Sequence, residues 1–259
     1  VPVSWGVFER FRKEQFDLIH VHTSTTVNLI AWQMSSVLNI PIIYTYHTMT
    51  VEYAHYLGPL ISRFTPVVEP AIELFDRMVC NGADAIVAPS RKAFDYLEHI
   101  AVRPKVTVIP NGIDLTRFSA TPANWLRERL GIADGRTIAI WVGRINEEKR
   151  PLLAYELFRR AHAQQADAAL VYIGDGALRH TILEMSEKDG LTDVVFAPGL
   201  VNYEEMALAY QSADLWISTS LSEVHPMVAL EAAACGLPAV AMRDPALQDI
   251  VIEGKTGLL

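Results

Sequence analysis

Short apolar runs alternate with segments of helical period along almost the whole chain, and this alternation limits the possible folds more than any other feature. The apolar runs are continuous and rich in β-branched residues, which is typical of strands buried on both faces of a sheet. Helices between such strands predict an α/β fold of doubly wound, parallel, Rossmann-like sheets. The strands are predicted at residues 18–22, 42–47, 85–88, 106–109, 137–142, 169–173, 194–197, 215–219 and 239–242.

Two helical segments have clear boundaries. Pro151 suits the first turn of a helix predicted over residues 151–163, and Ser90 suits the N-cap of a helix that runs to residue 98. The periodicity of the first of these helices predicts one apolar face, formed by Leu153, Leu157, Phe158 and Ala161.

The chain of 259 residues has room for one large or two ordinary domains, and 51% hydrophobic residues can form a core. A boundary is predicted near residue 116, since the polar segment 116–124 follows Asn111-Gly-Ile-Asp114 and the strand–helix pattern restarts at residue 137. The domains are therefore predicted at 1–116 and 117–259. The first contains four predicted strands where about six are usual, so we expect two strands upstream of this sequence.

Charge and cysteine content exclude several classes of protein. The net charge is −8, and no Lys/Arg stripe is interleaved with aromatic residues, so nucleic-acid binding is not expected. No run reaches the roughly 18 apolar residues of a membrane span, and no secretory signal opens the sequence. Cys80 and Cys235 lack metal-ligand spacing and are expected to be inert core thiols in a reducing, cytoplasmic compartment.

Ligands of such sheets bind beyond the carboxyl ends of the strands, so the residues that follow each strand are the candidates. The strand at 137–142 is followed by Gly143, Arg144 and Lys149, where glycine permits close approach and two cations suit a diphosphate. Ion pairs of these cations with Glu147 and Glu148 are an equally good explanation. The strand at 169–173 leads to Gly174-Asp-Gly176, which lacks a third glycine and favours a tight turn over a dinucleotide fingerprint.

A helix start follows the strand at 215–219. Pro226 is a good first residue for it, so Glu223 is expected in the loop and Glu231 more than one turn inside the helix. The free backbone N–H groups of such a helix start suit a phosphate, and the two carboxylates suit hydroxyl groups of ribose or sugar. Glu231 as a solvated surface residue is the alternative, which its apolar surroundings disfavour.

Histidines end two of the predicted strands in the first domain. Strand alternation puts His20 and His22 on one side, and His47 ends the next strand. Such residues at a crevice are candidates for sugar or phosphate contacts. A zinc site lacks a cysteine or carboxylate partner at suitable spacing, and no Asp-x-Asp pair is present, so no metal site is predicted.

Taken in order, these motifs resemble the GT-B glycosyltransferases of family four, which carry the "glycosyl transferases group 1" domain. The resemblance covers essentially the whole chain and implies two Rossmann-like domains facing a cleft, the first of them incomplete here. The first domain is similar to the narrower branch of 1,2-diacylglycerol 3-glucosyltransferases. The stretches that carry the resemblance are Ile109-Pro-Asn-Gly-Ile-Asp114, Phe118, Gly143-Arg144, Glu148-Lys149, Gly174-Asp-Gly176, Gly199-Leu-Val201, Glu223, Glu231, Gly236-Leu-Pro238, Phe16-Asp-Leu-Ile-His-Val-His-Thr23 and Tyr44-Thr-Tyr-His-Thr-Met49.

The resemblance implies a retaining, metal-independent hexosyltransferase that uses UDP-glucose as donor substrate and needs no cofactor. Arg144 and Lys149 would bind the donor diphosphate, Glu231 the ribose hydroxyls and Glu223 the sugar hydroxyls. His47 would contact the transferred sugar near the reacting centre. The remaining implied donor contacts are Gly143, Gly174, the backbone at Leu200 and Val201, and the N–H groups of Met227 and Val228.

One motif departs from the family pattern, which has Phe-Gly after the first glutamate where this chain has His225-Pro226. Pro226 has no N–H to donate to a phosphate, and His225 would replace it if protonated. The segment 51–79 is apolar, which suits a lipid acceptor or a peripheral contact with the inner face of the plasma membrane. Ordinary packing fits it equally well, since the segment has few basic residues and an interfacial helix usually carries more Lys and Arg. A glycan acceptor, a donor-binding module without transfer and a sugar-nucleotide epimerase remain the alternatives.

Overall fold

A computed structural model describes residues 5–24, 26–51, 65–164 and 167–259. The chain forms two compact units, Val1–Asn111 and Gly112–Leu259, and each is described by itself. The division falls a few residues before the boundary predicted near residue 116. Much of the apolar segment 51–79, including Tyr53, Tyr56 and Phe64, lies outside the described residues.

The first unit contains a four-stranded parallel sheet in the order β1-β2-β3-β4. Each described connection between neighbouring strands includes a helix, as parallel pairing requires. The core under this sheet includes the side chains of Ile42, Tyr44, Ile86 and Leu97, which are almost fully buried. The elements are α1 (Trp5–Glu14), β1 (Ile19–Val21), α2 (Thr26–Leu38), β2 (Ile42–Thr45), α3 (Thr65–Cys80), β3 (Ala85–Ala88), α4 (Arg91–His99) and β4 (Lys105–Val108).

The second unit contains a six-stranded parallel sheet in the order β10-β9-β8-β5-β6-β7. Consecutive residues of β5 alternate between two cores, with Ile138 and Ile140 in one and Ala139 and Trp141 in the other. The elements are α5 (Trp125–Leu130), β5 (Thr137–Val142), α6 (Pro151–Ala163), β6 (Ala168–Ile173), α7 (Arg179–Asp189), β7 (Val195–Gly199), α8 (Met206–Gln211), β8 (Leu215–Ser218), α9 (Met227–Ala234), β9 (Ala239–Ala241), α10 (Pro245–Gln248) and β10 (Gly257–Leu258).

The sheets confirm the predicted strands, with small differences at their ends, and add the two-residue edge strand β10. Ser90 is confirmed as an N-cap, because its hydroxyl accepts a hydrogen bond from the backbone N–H of Ala93 at 3.2 Å. The predicted apolar face of α6 is partly wrong, since Leu157 and Ala161 are exposed.

The buried face of α6 is instead formed by Pro151, Ala154, Tyr155 and Phe158. Tyr155 can occupy this face because its hydroxyl donates a 2.8 Å hydrogen bond to Asp189 at the end of α7. The prediction counted only purely apolar side chains and therefore omitted Tyr155. Without this residue, the predicted apolar face of α6 is rotated around the helix relative to the buried face in the structure.

Candidate functional site

A pocket of about 160 Å³ lies in the second unit, where the carboxyl ends of β5 and β8 meet the start of α9. This is the edge at which doubly wound sheets bind ligands. The structure brings together here five residues predicted from the sequence, namely Gly143, Lys149, Glu223, Met227 and Val228. The other predicted donor residues of this unit lie outside the pocket lining.

Lys149 and Glu223 form an ion pair across the pocket, with 2.8 Å between Nζ and Oε1. Their side chains are only 17% and 12% exposed, so the pair is shielded from solvent and from salt. Lys149 comes from the 3-10 turn Glu147–Lys149 after β5, and Glu223 from the loop between β8 and α9. The alternative that Lys149 pairs with its sequence neighbours is therefore wrong, because its partner is 74 residues away.

Arg144 pairs with Glu148, as the alternative from the sequence expects. The Glu148 carboxylate is 4% exposed, whereas the Arg144 side chain is 63% exposed. A buried carboxylate thus pairs with Nη2 of a guanidinium group on a side chain that is largely exposed. This arrangement leaves Arg144 able to contact an anion while its orientation is fixed.

Thr219 was not predicted as a site residue, although it fixes the chain that carries Lys149. Its buried hydroxyl lies 3.0 Å from the carbonyl oxygen of Lys149 and 2.8 Å from that of Arg150. Arg150 adopts a left-handed conformation, with φ of 51°, at the start of α6. The Thr219 contact stabilises this unusual turn, which a non-glycine residue adopts at some energetic cost.

Gly174 lies at the end of β6, outside the pocket lining. Its φ is 137°, and a Cβ atom added there would lie 1.9 Å from the carbonyl oxygen of Gly143. Glycine is therefore required where the turns after β5 and β6 cross. This finding favours the tight-turn interpretation of Gly174, and its donor contact remains a prediction.

Glu231 lies in the second turn of α9 and is 9% exposed, so it is not a solvated surface residue. Its Oε2 accepts a 2.9 Å hydrogen bond from the hydroxyl of Tyr210 in α8. Burial raises the pKa of the Glu231 carboxyl, and the Tyr210 hydrogen bond acts in the opposite direction. Tyr210 was not predicted as a partner of Glu231. The one signal for it in the sequence was the presence of a tyrosine within a short apolar helix.

His225 and Pro226 precede α9, and Pro226 occupies its N-cap position. His225 is 7% exposed, and burial lowers the pKa of its imidazole despite the opposing effect of Asp249. Burial thus works against the protonated form that a phosphate contact of His225 requires, and this contact stays a prediction. The first N–H groups of α9 come from Met227 and Val228, which both line the pocket.

Leu200 and Val201 follow β7, where the resemblance implies contacts with the donor base. The Leu200 side chain is 77% exposed, whereas Val201 packs against the core. Backbone contacts at these two positions stay a prediction. Within the described ranges, no group of three or more His, Cys, Asp and Glu side chains could hold a metal ion, and no helix could cross a membrane.

Three histidines lie together in the first unit, His20 within β1, His22 directly after it and His47 after β2. His22 Nδ1 and His47 Nε2 are hydrogen-bonded at 3.0 Å, and the rings of His20 and His22 are 4.1 Å apart. His20 Nε2 is hydrogen-bonded to the Thr45 hydroxyl at 2.8 Å. Burial, followed by the neighbouring His22 and His20, lowers the pKa of His47. His47 is therefore neutral at pH 7, and its contact with a transferred sugar stays a prediction.

Two protein families match the chain. "Glycosyl transferases group 1" matches residues 124–259, and "Glycosyltransferase Family 4" matches residues 1–117. Among similar proteins, "Alpha-monoglucosyldiacylglycerol synthase" of Streptococcus pneumoniae is 29% identical over 96% of this chain and 56% of its own length. "D-inositol 3-phosphate glycosyltransferase" of Arthrobacter sp. (strain FB24) is 30% identical over 97% of this chain and 61% of its own length. The chain thus spans less than two thirds of these relatives.

Solved structures confirm the fold. Sucrose-phosphate synthase from Thermosynechococcus elongatus superposes with a TM-score of 0.78 at 26% identity and covers 98% of this chain and 63% of its own. Anabaena HepE in complex with UDP and glucose gives a TM-score of 0.79 at 20% identity, over 98% of this chain and 66% of its own, and supports the fold alone. The predicted GT-B class is confirmed by these neighbours and by the two parallel sheets.

Proposed function

Since this chain belongs to the group 1 glycosyltransferases, we propose that it transfers a hexose from a nucleoside diphosphate sugar to an acceptor hydroxyl. The observation that carries this proposal is the pocket in which the Lys149–Glu223 pair meets the start of α9. A shielded cation and free backbone N–H groups at one place suit a diphosphate. A carboxylate beside them suits the hydroxyl groups of the attached sugar.

The donor proposed is UDP-glucose. Arg144 and Lys149 bind the diphosphate, together with the N–H groups of Met227 and Val228. Glu231 accepts hydrogen bonds from the ribose hydroxyls, in keeping with its buried position and with the Tyr210 bond that orients it. When the donor binds, the diphosphate competes with Glu223 for Lys149 and weakens the ion pair. The Glu223 carboxylate then accepts hydrogen bonds from the glucose hydroxyls.

The chemistry proposed is transfer with retention of the anomeric configuration. The bond between the glucose C1 and the diphosphate oxygen breaks while C1 bonds to the acceptor oxygen on the same face. The departing phosphate oxygen takes the proton of the acceptor hydroxyl. Arg144 and Lys149 stabilise the charge that grows on the leaving group, so no metal and no cofactor is part of the proposal. His47, neutral at pH 7, contacts the glucose hydroxyls.

The acceptor proposed is a lipid of the diacylglycerol type, and a glycan or an inositol phosphate is the second candidate. The name of the Streptococcus pneumoniae relative supports the lipid, and that of the Arthrobacter relative supports the second candidate. Exposed apolar side chains in α3, at Leu74, Phe75 and Met78, also favour a lipid. We place the protein at the cytoplasmic surface of a membrane, held there by peripheral contacts.

The test is a transfer assay with radiolabelled UDP-glucose and either dioleoylglycerol vesicles or inositol phosphate, with and without EDTA. The proposal expects an α-linked glucosyl lipid, identified by its NMR coupling constant, and the same rate in EDTA. A β-linked product contradicts retention, and loss of activity in EDTA contradicts metal independence. Donor binding without any product would indicate a binding module, and an isomerised UDP-sugar an epimerase.

A further inference from the structure

The first unit contains a second pocket, of about 220 Å³, between α2 and α3. Its apolar walls are formed by Leu29 and Trp32 of α2 and by Phe75, Met78 and Val79 of α3. The Trp32 ring lies directly on the backbone of Gly82, where an added Cβ atom would stand 2.1 Å from the ring. This contact fixes the position of the ring and makes it a rigid wall.

Asn28 lines the same pocket and, like Nε1 of Trp32, is a buried polar group without a hydrogen-bond partner in the described part of the chain. It is 2% exposed, and neither its Oδ1 nor its Nδ2 has a hydrogen-bond partner among the residues that the structure describes. A buried amide without partners lowers the stability of a protein, whereas a leucine of similar shape in this place would not. Local choices that reduce stability without a structural gain tend to lie at functional sites.

The polar and apolar parts of this pocket are separated. Ser24, Thr26 and Asn28 lie at the start of α2, where the first N–H groups of the helix lack intrahelical partners. The described lining residues include no charged side chain. Leu29, Phe75 and Met78 are 52%, 42% and 54% exposed, so the apolar part is open to the outside. The pocket therefore suits an amphiphile that carries a neutral polar group at one end of an apolar chain.

We propose that this pocket binds one acyl chain of an ester lipid, with the ester carbonyl accepting a hydrogen bond from Nδ2 of Asn28. The volume lies below the roughly 300 Å³ at which pockets for whole small ligands begin, so it holds one chain. The inference deepens the proposed function, and it rests on the lipid acceptor of that proposal for its biological role.

Binding is measured with 1-lauroylglycerol below its micelle concentration, followed by tryptophan fluorescence and by the melting temperature. Trp32→Phe identifies the part of the signal that comes from the pocket. We expect saturable binding to the parent chain and about fivefold weaker binding of 1-O-dodecylglycerol, which lacks the carbonyl. Equal affinities would refute the carbonyl contact, no saturable binding would refute the pocket, and tighter binding of laurate would assign it to free fatty acids.

The Asn28→Leu variant tests whether the Asn28 amide binds the ligand or stabilises the fold. We expect about tenfold weaker binding of lauroylglycerol together with a melting temperature about 2–4 °C higher, since the variant removes two unpaired buried atoms. Gln33→Leu, which replaces an exposed amide of the same helix, is the matched control and should change neither value. A lower melting temperature with unchanged affinity would show that Asn28 serves the fold.

A second variant and a second ligand make it possible to test the acyl-chain pocket and the proposed sugar transfer separately. Met78→Glu puts a charge at the exposed rim and should weaken lauroylglycerol binding about tenfold without changing the core; unchanged binding would contradict the assigned path of the chain. UDP-glucose binding is measured on the same samples. Lauroylglycerol binding without donor binding would refute the proposed function alone, and donor binding without lauroylglycerol binding would refute this pocket alone.

Discussion

The two units place different chemistry at the same edge of the same kind of sheet. At the carboxyl ends of β1 and β2, the first unit presents three histidines in contact, and burial together with their neighbours lowers the pKa of His20 and His47. After β5 and β8, the second unit presents the ion pairs Lys149–Glu223 and Arg144–Glu148. Neutral imidazoles suit hydroxyl groups, whereas paired cations suit a diphosphate.

This difference matches the separate roles proposed for the two units. The cations proposed to bind the diphosphate are each paired with a carboxylate, Lys149 with Glu223 and Arg144 with Glu148. Such pairing orients the cation and avoids an unpaired buried charge. Groups that meet only hydroxyls need no such partner. The comparison predicts that changes at the second edge impair donor binding strongly, and that changes at the first edge impair transfer more mildly.

The largest effect is expected from Lys149→Met, which keeps the length of the side chain and removes its charge. The donor loses its shielded cation and Glu223 loses its ion-pair partner, so kcat/KM should fall by at least about 100-fold. The measurement is steady-state transfer from UDP-glucose. Lys188→Met removes an exposed lysine of the same unit and should be neutral; equal losses in both variants would contradict a specific role for Lys149.

Thr219→Val should reduce kcat/KM about tenfold, although Thr219 is not proposed to touch the substrate. The variant removes the hydroxyl beside the carbonyl oxygens of Lys149 and Arg150 and leaves the turn that carries Lys149 less well fixed. Thr219→Ser retains the hydroxyl and should restore most of the rate. A serine variant as slow as the valine variant would show that packing, and not the hydroxyl, is what matters.

Donor affinity should fall as the pH is lowered toward 5, by up to about tenfold. Burial raises the pKa of Glu231 above its ordinary value of 4.5, and the protonated carboxyl accepts fewer hydrogen bonds from ribose. The stability of the fold should change in the opposite direction. Because the pKa of Glu231 is higher in the folded chain than in the unfolded one, protonated Glu231 stabilises the fold below the ordinary pKa of 4.5. This contribution to stability is lost as the pH rises through the raised pKa. Glu231→Gln should bind weakly at every pH; a pH dependence that persists in it would assign the effect elsewhere.

The smallest effect is expected from His22→Phe in the first unit. His47 loses the partner that fixes its ring, while both rings remain, so kcat should fall about threefold with donor affinity unchanged. His22→Gln, which can still hydrogen-bond to His47, should be closer to the parent. If the phenylalanine variant loses donor affinity as strongly as Lys149→Met, the contrast between the two edges is wrong.

The succession of strands and helices along the chain and the strand-end positions of most site residues could be predicted, because they follow from local patterns. The strands at 85–88 and 137–142 and the helix at 151–163 have the predicted bounds, since continuous β-branched runs and a first-turn proline mark them. Ser90 was predicted as a cap for the same local reason.

The partners of the site residues could not be predicted, because they are distant in sequence. Glu223 is 74 residues from Lys149, Thr219 is about as far from the same turn, and Tyr210 reaches Glu231 from another helix. The two-residue strand β10 is defined by its parallel pairing with β9, and no local sequence pattern predicts this pairing. The lowered pKa of His225 likewise results from burial, which its two neighbours in the chain do not reveal.

The most direct test of the central claim is calorimetric titration of the chain with UDP-glucose and with GDP-mannose, beside Glu231→Ala and with a melting curve for each sample. The account predicts preferential binding of UDP-glucose by the parent and loss of that binding in a variant that remains folded. A cooperatively folded parent chain that binds neither donor, or a folded Glu231→Ala that binds UDP-glucose as the parent does, would contradict the donor site.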